Sequence, residues 1–548
     1  RGRLALPPVA AMGRRGGALP PALLLAGLLA AGGRTARDQP VVYEISTRPW
    51  LYSLAESGVQ ARCGQYVCLR DVPRSRWQAL AEDSIDMVWL MGVWQLGDFG
   101  LQHDRSPAAL ASFRRDLPDV EPADVIGSPY AVQNYTVNSD IGTAADLAAV
   151  RATLRSLGMG LMLDFVPNHA AVDSVLVEEH PSIFLQRPAA GSFPDGWWIE
   201  RGGTAFAFGR GPYATWTDTL QYNYWHRDTL PVMVGVLQAV ASQADAVRCD
   251  MAMLVLNDVI QRTWGGPMKA GGLRRPRREF WEEAIAAVRV RHPDVLFVAE
   301  AYDYGFTSPP EKQKLQSLGF DVVYDKTVLD NLDAGNLDSL KGYIGSQRQA
   351  FFRHTAHFVE NHDEPRSVAA LGGPEQAFAG AVVAATLPGL RLFYFGQFDG
   401  LSARLVVQLR RAVAQAPDEA LHRRYTALLR ALADDVFHEG SWTFVQVPRK
   451  GTGWRLSAWR WASRSGEAKR LVVVNFSDGQ GRADVRLPDA RGGGGGGDVV
   501  AVAELLTGAR YQRSAKALRS KGLTCSLGPW TAQIFAYDAS GPPSSLSI

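Results

Sequence analysis

Three carboxylates, Asp250, Glu300 and Asp363, each close a short apolar run and are the residues of this chain best placed to do chemistry. Arg248 lies two positions before Asp250, so in a strand their side chains point to the same side. A neighbouring cation favours the ionised carboxylate, which suits a nucleophile and equally suits a structural ion pair. Three carboxylates on one rim are the groups that glycoside hydrolysis uses.

The runs that carry these residues predict parallel strands buried on both faces, because they are continuous, rich in Val and Phe, and separated by helical stretches. The intervals between the three carboxylates leave room for one and then two strand–helix units. In a (β/α)8 barrel, polar residues at the carboxyl ends of several strands converge. We therefore expect a (β/α)8 barrel whose strands include residues 41–45, 86–91, 160–164, 294–300, 321–324, 357–363 and 390–396.

Four stretches together resemble the sequence motifs of the α-amylase family, glycoside hydrolase family 13. They contain Asp164, Asn168 and His169; Arg248 and Asp250; Glu300; and Asn361, His362 and Asp363. They occur in the family's order, and the resemblance covers roughly residues 40 to 540. It implies a (β/α)8 TIM barrel with a domain B inserted after strand 3 and a C-terminal all-β sandwich.

The resemblance also implies a role for each carboxylate. Asp250 would attack the anomeric carbon and form a covalent glycosyl-enzyme. Glu300 would protonate the departing oxygen and then deprotonate the acceptor, with a pKa raised by apolar neighbours such as Phe297. Asp363 would hold the 2- and 3-hydroxyls of the sugar as the oxocarbenium-like transition state forms.

The same resemblance implies substrate-binding roles. Arg248 would orient Asp250, and His169 and His362 would donate to sugar hydroxyls, although both histidines would also fit as structural partners at strand ends. Tyr130 would stack on the sugar, or would only pack on the barrel rim. Three further motif residues are interpreted as structural, namely Asp164, Asn168 and Asn361.

Two departures from the family pattern bear on metal and substrate. Residues 251–254 read Met-Ala-Met-Leu, without the Lys-His of typical calcium-dependent α-amylases. We therefore expect no required cofactor, with Asn168 as the ligand if calcium is bound. Residues 362–366 are closer to the α-glucosidase and trehalose synthase branches, which favours a small α-glucoside. Arg366 would either limit the cleft near the catalytic subsite or only pair with Glu364.

Composition narrows the partners. The chain has 548 residues, of which 46% are hydrophobic and 21% charged, a composition typical of a globular protein. Its net charge of +3 does not indicate any class of partner. No basic cluster interleaves with aromatics as a nucleic-acid surface requires, so a carbohydrate is the expected partner; the oligomeric state stays open. Cys63 and Cys68 would pair in an oxidising compartment or remain unpaired, and we expect the second.

The N-terminal residues resemble a targeting segment. Residues 1–37 contain no Asp or Glu, and from Met12 two arginines precede an apolar stretch and small residues. This pattern is typical of a secretory signal peptide and is too short to span a membrane, while an organelle transit peptide or a cytoplasmic location remains an alternative. We favour secretion, with no membrane span in the mature chain.

The predicted division of the chain follows from these segments. It consists of a signal or transit segment (1–37), the first part of the barrel (38–169), domain B (170–222), the rest of the barrel (223–438), the β-sandwich (439–540) and a tail (541–548). The leading functional hypothesis is a retaining α-glycosidase acting on oligo- or polysaccharides. The alternatives are a transglycosylase or isomerase of small α-glucosides with the same carboxylates, and a catalytically silent binding subunit.

Overall fold

The computed structural model describes residues 37–492 and 498–537. The targeting segment expected at residues 1–37 lies outside the described residues except for Arg37, and so does the tail expected at 541–548. Among the described residues, none of the helices combines the length and the hydropathy that crossing a bilayer requires.

Eight parallel strands close into a barrel, as the sequence predicts, and the last strand pairs with the first. Every residue in them is buried, because side chains fill the inside and helices cover the outside. In chain order they are called barrel strands 1 to 8: Val41–Ser46, Met87–Met91, Gly160–Phe165, Ala246–Cys249, Leu296–Ala299, Val322–Tyr324, Thr355–His357 and Leu390–Tyr394.

Barrel strand 7 is shorter than the sequence predicts. The expected strand runs from residue 357 to 363, but the observed strand ends at His357. Phe358 looks like a strand residue in the sequence because it is buried in the barrel core. Beyond it, the Asn361 side-chain oxygen accepts hydrogen bonds from the backbone N–H groups of Asp363 (2.9 Å) and Glu364 (3.0 Å). This turn, rather than the strand, positions Asp363.

Helices surround the barrel and fill its loops. The helix before barrel strand 3 shows how the sequence sets its ends: Thr143 and Asp146 form a reciprocal capping box at its start, and Gly158 adopts a left-handed φ of 82° after its end. The helices are Thr47–Glu56, Arg74–Glu82, Asp98–Asp104, Pro107–Phe113, Ala144–Ser156, Val175–Glu179, Thr229–Gln243, Asn257–Thr263, Gly265–Ala270, Phe280–Arg289, Glu311–Ser317, Thr327–Asp333, Leu337–Ser346, Gln349–Phe352, Ser367–Ala370, Pro374–Thr386, Glu419–Leu432, Val436–Glu439 and Ala515–Ser520.

Antiparallel sheets interrupt and follow the barrel. A four-stranded sheet between barrel strands 3 and 4, called the insert, contains in sheet order His169–Ala171, Thr215–Gln221, Thr204–Arg210 and Trp198–Arg201. A two-stranded sheet after barrel strand 2 pairs Trp94–Leu96 with Val132–Val137. The insert begins directly at His169, so it shares its first strand with the end of a candidate site motif.

The C-terminal region consists of two antiparallel sheets with an apolar cluster between them. The larger contains in sheet order Ser441–Val445, Leu456–Ala462, Lys469–Asn475, Thr531–Ala536, Val499–Glu504 and Arg510–Ser514, and the smaller pairs Gly481–Val485 with Leu523–Leu527. The indole N–H groups of Trp459 and Trp461 donate to the Thr386 hydroxyl (3.1 Å) and carbonyl (2.8 Å). These bonds dock the larger sheet on a barrel helix.

The cysteines correct one expectation. Cys63 and Cys68 form a disulfide, whereas we expect them from sequence to remain unpaired. The physical reason is local: Cys63 and Tyr66 exchange two backbone hydrogen bonds of 3.2 and 3.0 Å, and this tight turn brings the two cysteine Cα atoms to 5.2 Å. The two free cysteines of the described residues, Cys249 and Cys525, are buried.

Candidate active site

Arg248, whose side chain has no solvent exposure, joins two of the three carboxylates. Its Nη1 donates to Asp250 Oδ1 at 2.7 Å, and its Nη2 donates to Glu300 Oε2 at 2.7 Å. Barrel strands 4 and 5 place these residues together because they are hydrogen-bonded neighbours, with Arg248 beside Val298. One guanidinium therefore holds the two carboxyl groups side by side at the mouth of the barrel.

Glu300 is suited to hold a proton near neutral pH. Burial raises its pKa to about 7; Arg248 opposes the rise, and the negative charges of Asp250 and Asp363 add to it. Its carboxyl accepts the backbone N–H of Met251 at 2.7 Å and the Tyr302 hydroxyl at 3.1 Å. A buried carboxylic acid with a pKa near 7 is the kind of group that serves as a general acid.

Asp250 is buried in the same network as Glu300. Burial raises the pKa of Asp250 as well, and the Arg248 charge and hydrogen bond oppose that rise. The hydrogen bond and charge of Arg248 favour the ionised form of Asp250, which is the form a nucleophile needs. The turn after Asp250 is strained, since Met251 has a left-handed φ of 40° without being glycine, and this turn aims the Met251 N–H at Glu300.

His362 lies between two carboxylates. Its Nδ1 donates to Glu44 Oε1 at 2.5 Å, and its Nε2 lies 3.0 Å from Asp363 Oδ2 and 2.8 Å from the Tyr130 hydroxyl. Burial alone would lower the pKa of His362, but Asp363 and Glu44 raise it well above its ordinary value. The ring is therefore an imidazolium that donates from both nitrogens.

Asp363 is the carboxylate that faces the open cleft, because its side chain is 47% exposed while those of its neighbours are buried. Desolvation would raise the pKa of Asp363, but the charge and hydrogen bond of His362 lower it to about 2. Asp363 is therefore an anion at any working pH, and it can accept hydrogen bonds from sugar hydroxyls.

The Tyr130 ring lies inside this cluster. It stacks on His362 with a centroid distance of 5.3 Å and an interplanar angle of 27°, and Arg248 Cζ lies 5.3 Å from its centroid. Asp164, in register with Arg248 on the neighbouring strand, lies 3.5 Å from Arg248 Nη1. Burial raises the pKa of Asp164 to about 6, and because the residue is buried it contacts the guanidinium without facing the cleft.

Sequence reasoning missed three residues of the site. Glu44 is fully buried on barrel strand 1 and holds His362. Trp89 donates from its indole to Asp164 Oδ2 at 3.0 Å, and Tyr302 donates to Glu300. Of the three, Glu44 could have been identified from the sequence, because it is the only ionisable residue apart from a tyrosine in the apolar run 41–45.

On the insert side, His169 is held neutral, since burial lowers its pKa to about 4. Its ring lies 5.1 Å from that of Trp216, and its Nδ1 lies 3.2 Å from Asn168 Nδ2. His169 and His362 therefore differ in charge although both follow barrel strands: one is neutral, the other cationic.

Arg366 corrects a prediction. Its Nη1 donates to Glu360 Oε1 at 2.9 Å and to the Phe395 carbonyl at 2.7 Å, while Glu364 pairs with Lys326 at 2.8 Å. Of the two alternatives expected for Arg366, the pairing with Glu364 is wrong, because the guanidinium pairs with the buried Glu360 instead. Arg366 is itself buried and presents no free cation to a substrate.

Residues 119–420, more than half of the chain, match the family model described as the alpha amylase catalytic domain. The chain belongs to the α-amylase family. The matched segment includes all three carboxylates, Arg248 and both histidines, so the cluster described above lies where the family's catalytic domain lies.

Known members of the α-amylase family resemble this chain over different lengths. An alpha-amylase, MalA, of Haloarcula japonica is 27% identical over 446 residues, which is 75% of this chain and 60% of the relative. An alpha-1,4-glucan:maltose-1-phosphate maltosyltransferase of Burkholderia pseudomallei is 25% identical over 283 residues, 50% of this chain and 21% of the relative. The chain thus matches less than two thirds of the length of each relative.

Solved structures share the fold of this α-amylase family member. A noncanonic maltogenic alpha-amylase, AmyB, from Thermotoga neapolitana superimposes with a TM-score of 0.62 at 18% identity, covering 91% of this chain and 99% of the other. An alpha-amylase from Lactobacillus plantarum gives a TM-score of 0.63 at 19% identity with the same coverage. The likeness extends to the insert and C-terminal sheets as well as the barrel.

The residues around Asn168 do not fit the calcium ion that many α-amylase family members bind. Calcium takes six to eight oxygen ligands, with carboxylates among them. Here the Gln221 amide nitrogen donates to both the side-chain and backbone oxygens of Asn168, each at 2.9 Å. Among residues 37–492 and 498–537, no three His, Cys, Asp or Glu side chains are arranged to hold a metal. A hydrogen-bond donor therefore stands where a cation would need an acceptor.

Proposed function

We propose that this chain is a retaining α-glycosidase that cleaves α-glucosidic bonds through a covalent intermediate on Asp250. The observation that carries the proposal is the Arg248 bridge, which holds Asp250 beside a Glu300 whose pKa is raised to about 7. One ionised and one protonated carboxyl, flanking one bond, is the arrangement that retaining glycosidases require.

The two steps use the same pair. In the first, an Asp250 oxygen bonds to the anomeric carbon, the bond to the leaving oxygen breaks, and the Glu300 proton goes to that oxygen. In the second, Glu300 takes a proton from water or a sugar hydroxyl, whose oxygen bonds to the anomeric carbon as the Asp250 ester breaks. Asp363, held anionic by His362, accepts from the sugar hydroxyls in both steps.

A second candidate is transfer to a sugar acceptor in place of water. The relative from Burkholderia pseudomallei is a maltosyltransferase by name, which favours this alternative over an unrelated chemistry. The chemistry up to the covalent intermediate is identical in the two cases, so only the second step distinguishes them. The silent-subunit alternative finds no support, because the carboxylates and their partners are all in place.

We propose further that the reaction needs no cofactor and no calcium, which the donor set around Asn168 supports. The Cys63–Cys68 disulfide supports an oxidising compartment and hence secretion. The absence of a cofactor and the secreted location that we propose are both compatible with a carbohydrate substrate.

The proposal is tested by anomer-resolving NMR on the full chain with maltose, trehalose, sucrose, isomaltose and soluble starch. Release of an α-anomeric sugar as the first product is expected, and a new disaccharide would show transfer. A first product of the β-anomer, or no turnover on any of these substrates, would contradict the proposal.

A further inference from the structure

The segment after barrel strand 8 crosses part of the barrel mouth. Residues 401–411, called the strap, reach the loop of residues 119–126 and pair with it: the Ile126 N–H donates to the Gln408 carbonyl at 2.8 Å, and the Arg410 N–H donates to the Asp124 carbonyl at 2.9 Å. Leu409 forms a further antiparallel bridge with Val125. The strap is thus joined by backbone bonds to the opposite loop.

The strap lies over barrel strands 1 and 2. Its residues Leu405 and Val407 line one small cavity together with Ser46 at the end of strand 1 and Met91 at the end of strand 2. Val407 also packs against the apolar interior of the barrel, as Tyr130 does. The strap therefore covers the side of the barrel mouth that is next to the stacked rings of Tyr130 and His362.

Ion pairs and apolar contacts fix the strap in place. The buried Asp124 carboxylate accepts Arg410 Nε at 3.0 Å, Arg411 Nε at 2.9 Å and Arg411 Nη2 at 2.8 Å. Arg411 Nη1 also lies 3.2 Å from both oxygens of Asp119. Leu409 packs in an apolar cluster with Leu110, Leu117, Val120 and Val125. These bonds and contacts hold the strap against the loop of residues 119–126.

The position of the strap relative to the carboxylates decides what can enter. Asp250 and Glu300 follow strands 4 and 5, whereas the strap covers strands 1 and 2, on the other side of the mouth. The charge of Arg404, on the strap, reaches Asp363 and contributes to lowering its pKa. Asp363, which accepts the 2- and 3-hydroxyls in the proposed function, thus lies between the two sides.

A pyranose has C1 and C4 at opposite ends of its ring. In the proposed function C1 lies at Asp250 and the 2- and 3-hydroxyls lie at Asp363, which leaves C4 at the end of the ring away from Asp250. In an α-1,4-glucan, that is where the chain continues through O4. The opposite side is open and aromatic: Tyr213 is 80% exposed, and its ring lies 5.5 Å from that of Tyr304, whose pKa the Glu300 charge helps to raise.

We propose that the strap makes the catalytic pocket one-ended, so that the enzyme takes the non-reducing terminal α-glucosyl residue of short saccharides and does not cut internal bonds. The inference rests on the proposed function and names its substrate class. The strap's attachment to Asp124, rather than any residue that contacts the sugar, sets this selectivity.

The test compares two maltoheptaosides that carry the same chromogenic group at the reducing end, one with a free and one with a 4,6-capped non-reducing end. The full-length protein is expected to release glucose from the free substrate, one residue at a time, and to leave the capped one intact. Cleavage of both at similar rates would keep the proposed function and overturn this inference. No turnover on either, nor on maltose, would overturn both.

Two variants locate the cause. Asp124→Asn removes the ion pairs of Asp124 with Arg410 and Arg411 while keeping the side-chain shape, and Arg411→Ala removes the ion pairs of Arg411 with Asp119 and Asp124. Each is expected to raise cleavage of the capped substrate by at least about tenfold, since losing one partner of a buried ion pair strongly weakens the contact. Activity on maltose should stay within about threefold, because neither residue contacts the catalytic groups.

Arg424→Ala is the matched control, because it breaks an Arg–Glu ion pair of 2.7 Å with Glu375, away from the strap. It should leave both substrates unchanged. The thermal midpoint of Arg411→Ala will show whether this variant is folded. If it is folded and still does not cleave the capped substrate, the role of the strap is overturned, even if Asp124→Asn fails to fold.

Discussion

At the scale of single residues, one guanidinium and one imidazolium give the three carboxyl groups of the site their different roles. Arg248 donates hydrogen bonds to Asp250 and Glu300, and His362 contacts Asp363 and Glu44. Burial raises the pKa of Glu300 to about 7, while His362 lowers that of Asp363 to about 2. Environment therefore makes one of these carboxyl groups an acid and another a permanent anion.

Asp250→Asn should reduce kcat by at least about 10³-fold, because an amide is not a nucleophile for the anomeric carbon. The asparagine oxygen can still accept from Arg248, so the fold should persist. The measurement is turnover of an activated α-glucoside, with mass spectrometry after incubation with 5-fluoro-α-glucosyl fluoride. A sugar adduct on wild type and none on the variant is expected; near wild-type turnover by Asp250→Asn would rule out the nucleophile.

The pH profile of kcat/KM should fall on the alkaline side near pH 7. The direction follows from the role of Glu300: it must be protonated to donate, and with a pKa of about 7 it loses its proton as the pH rises through that value. On the acid side the rate should fall as Asp250 becomes protonated. An alkaline limb displaced by several pH units from 7 would contradict the assignment.

Glu300→Gln provides the matching variant. It should lower activity on maltose by about 10²–10⁴-fold, the usual contribution of a general acid, and it should remove the alkaline limb. Formation of the glycosyl-enzyme from a substrate with a good leaving group, such as α-glucosyl fluoride, should be much less affected because that group departs without a proton. Equal losses on both substrates would point to a structural role for Glu300.

At the scale of elements, the junction between barrel strand 3 and the insert is held by amide hydrogen bonds. Gln221, the last residue of an insert strand, donates to both oxygens of Asn168 and to the Tyr222 carbonyl at 3.3 Å. The Asn168 carbonyl also accepts the Tyr222 N–H at 3.1 Å. These bonds connect the insert to the wall of the active site.

Removal of calcium should leave the thermal midpoint of the wild type unchanged, since a donor already satisfies Asn168. Gln221→Glu should lower the midpoint in chelator, because a carboxylate would face two oxygens, and millimolar calcium should restore part of the loss. Gln221→Ala, the control, should be destabilised but not restored by calcium. A lower wild-type midpoint in chelator, or calcium found in the purified protein, would contradict the amide junction.

At the scale of the whole molecule, the C-terminal sheets are attached to the barrel through buried tryptophans. Trp459 and Trp461 are fully buried, and both donate to Thr386 at the end of a barrel helix. Phe437 adds a ring contact of 5.7 Å with Trp461. This contact lies on the helix layer of the barrel, remote from the mouth where the carboxylates meet.

Trp461→Phe should lower the thermal midpoint without changing KM. The change keeps most of the ring but leaves the Thr386 carbonyl unpaired in a buried place, which costs about 1–3 kcal/mol. Trp454→Phe, at an exposed tryptophan of the same region, is the control and should change neither quantity. An unchanged midpoint for Trp461→Phe would show that these hydrogen bonds do not stabilise the attachment.

The barrel and the positions of Asp250 and Glu300 at strand ends could be predicted from the sequence, whereas Asp363 was predicted in a strand and lies in a turn. Buried parallel strands leave continuous apolar runs, and the polar residue after each run marks the end that faces the mouth. The spacing of Arg248 and Asp250 likewise followed from the alternation of side chains along a strand. These are local properties, so they can be predicted without knowing which segments meet.

The pairing of polar groups depends on the three-dimensional fold. Glu44 meets His362 only because strand closure brings distant segments together, Arg366 chooses Glu360 over the nearer Glu364, and Gln221 satisfies Asn168. The strap, too, depends on a loop nearly three hundred residues earlier in the chain. Residue type and spacing record what each side chain can do, whereas its partner depends on long-range packing, which local sequence does not encode.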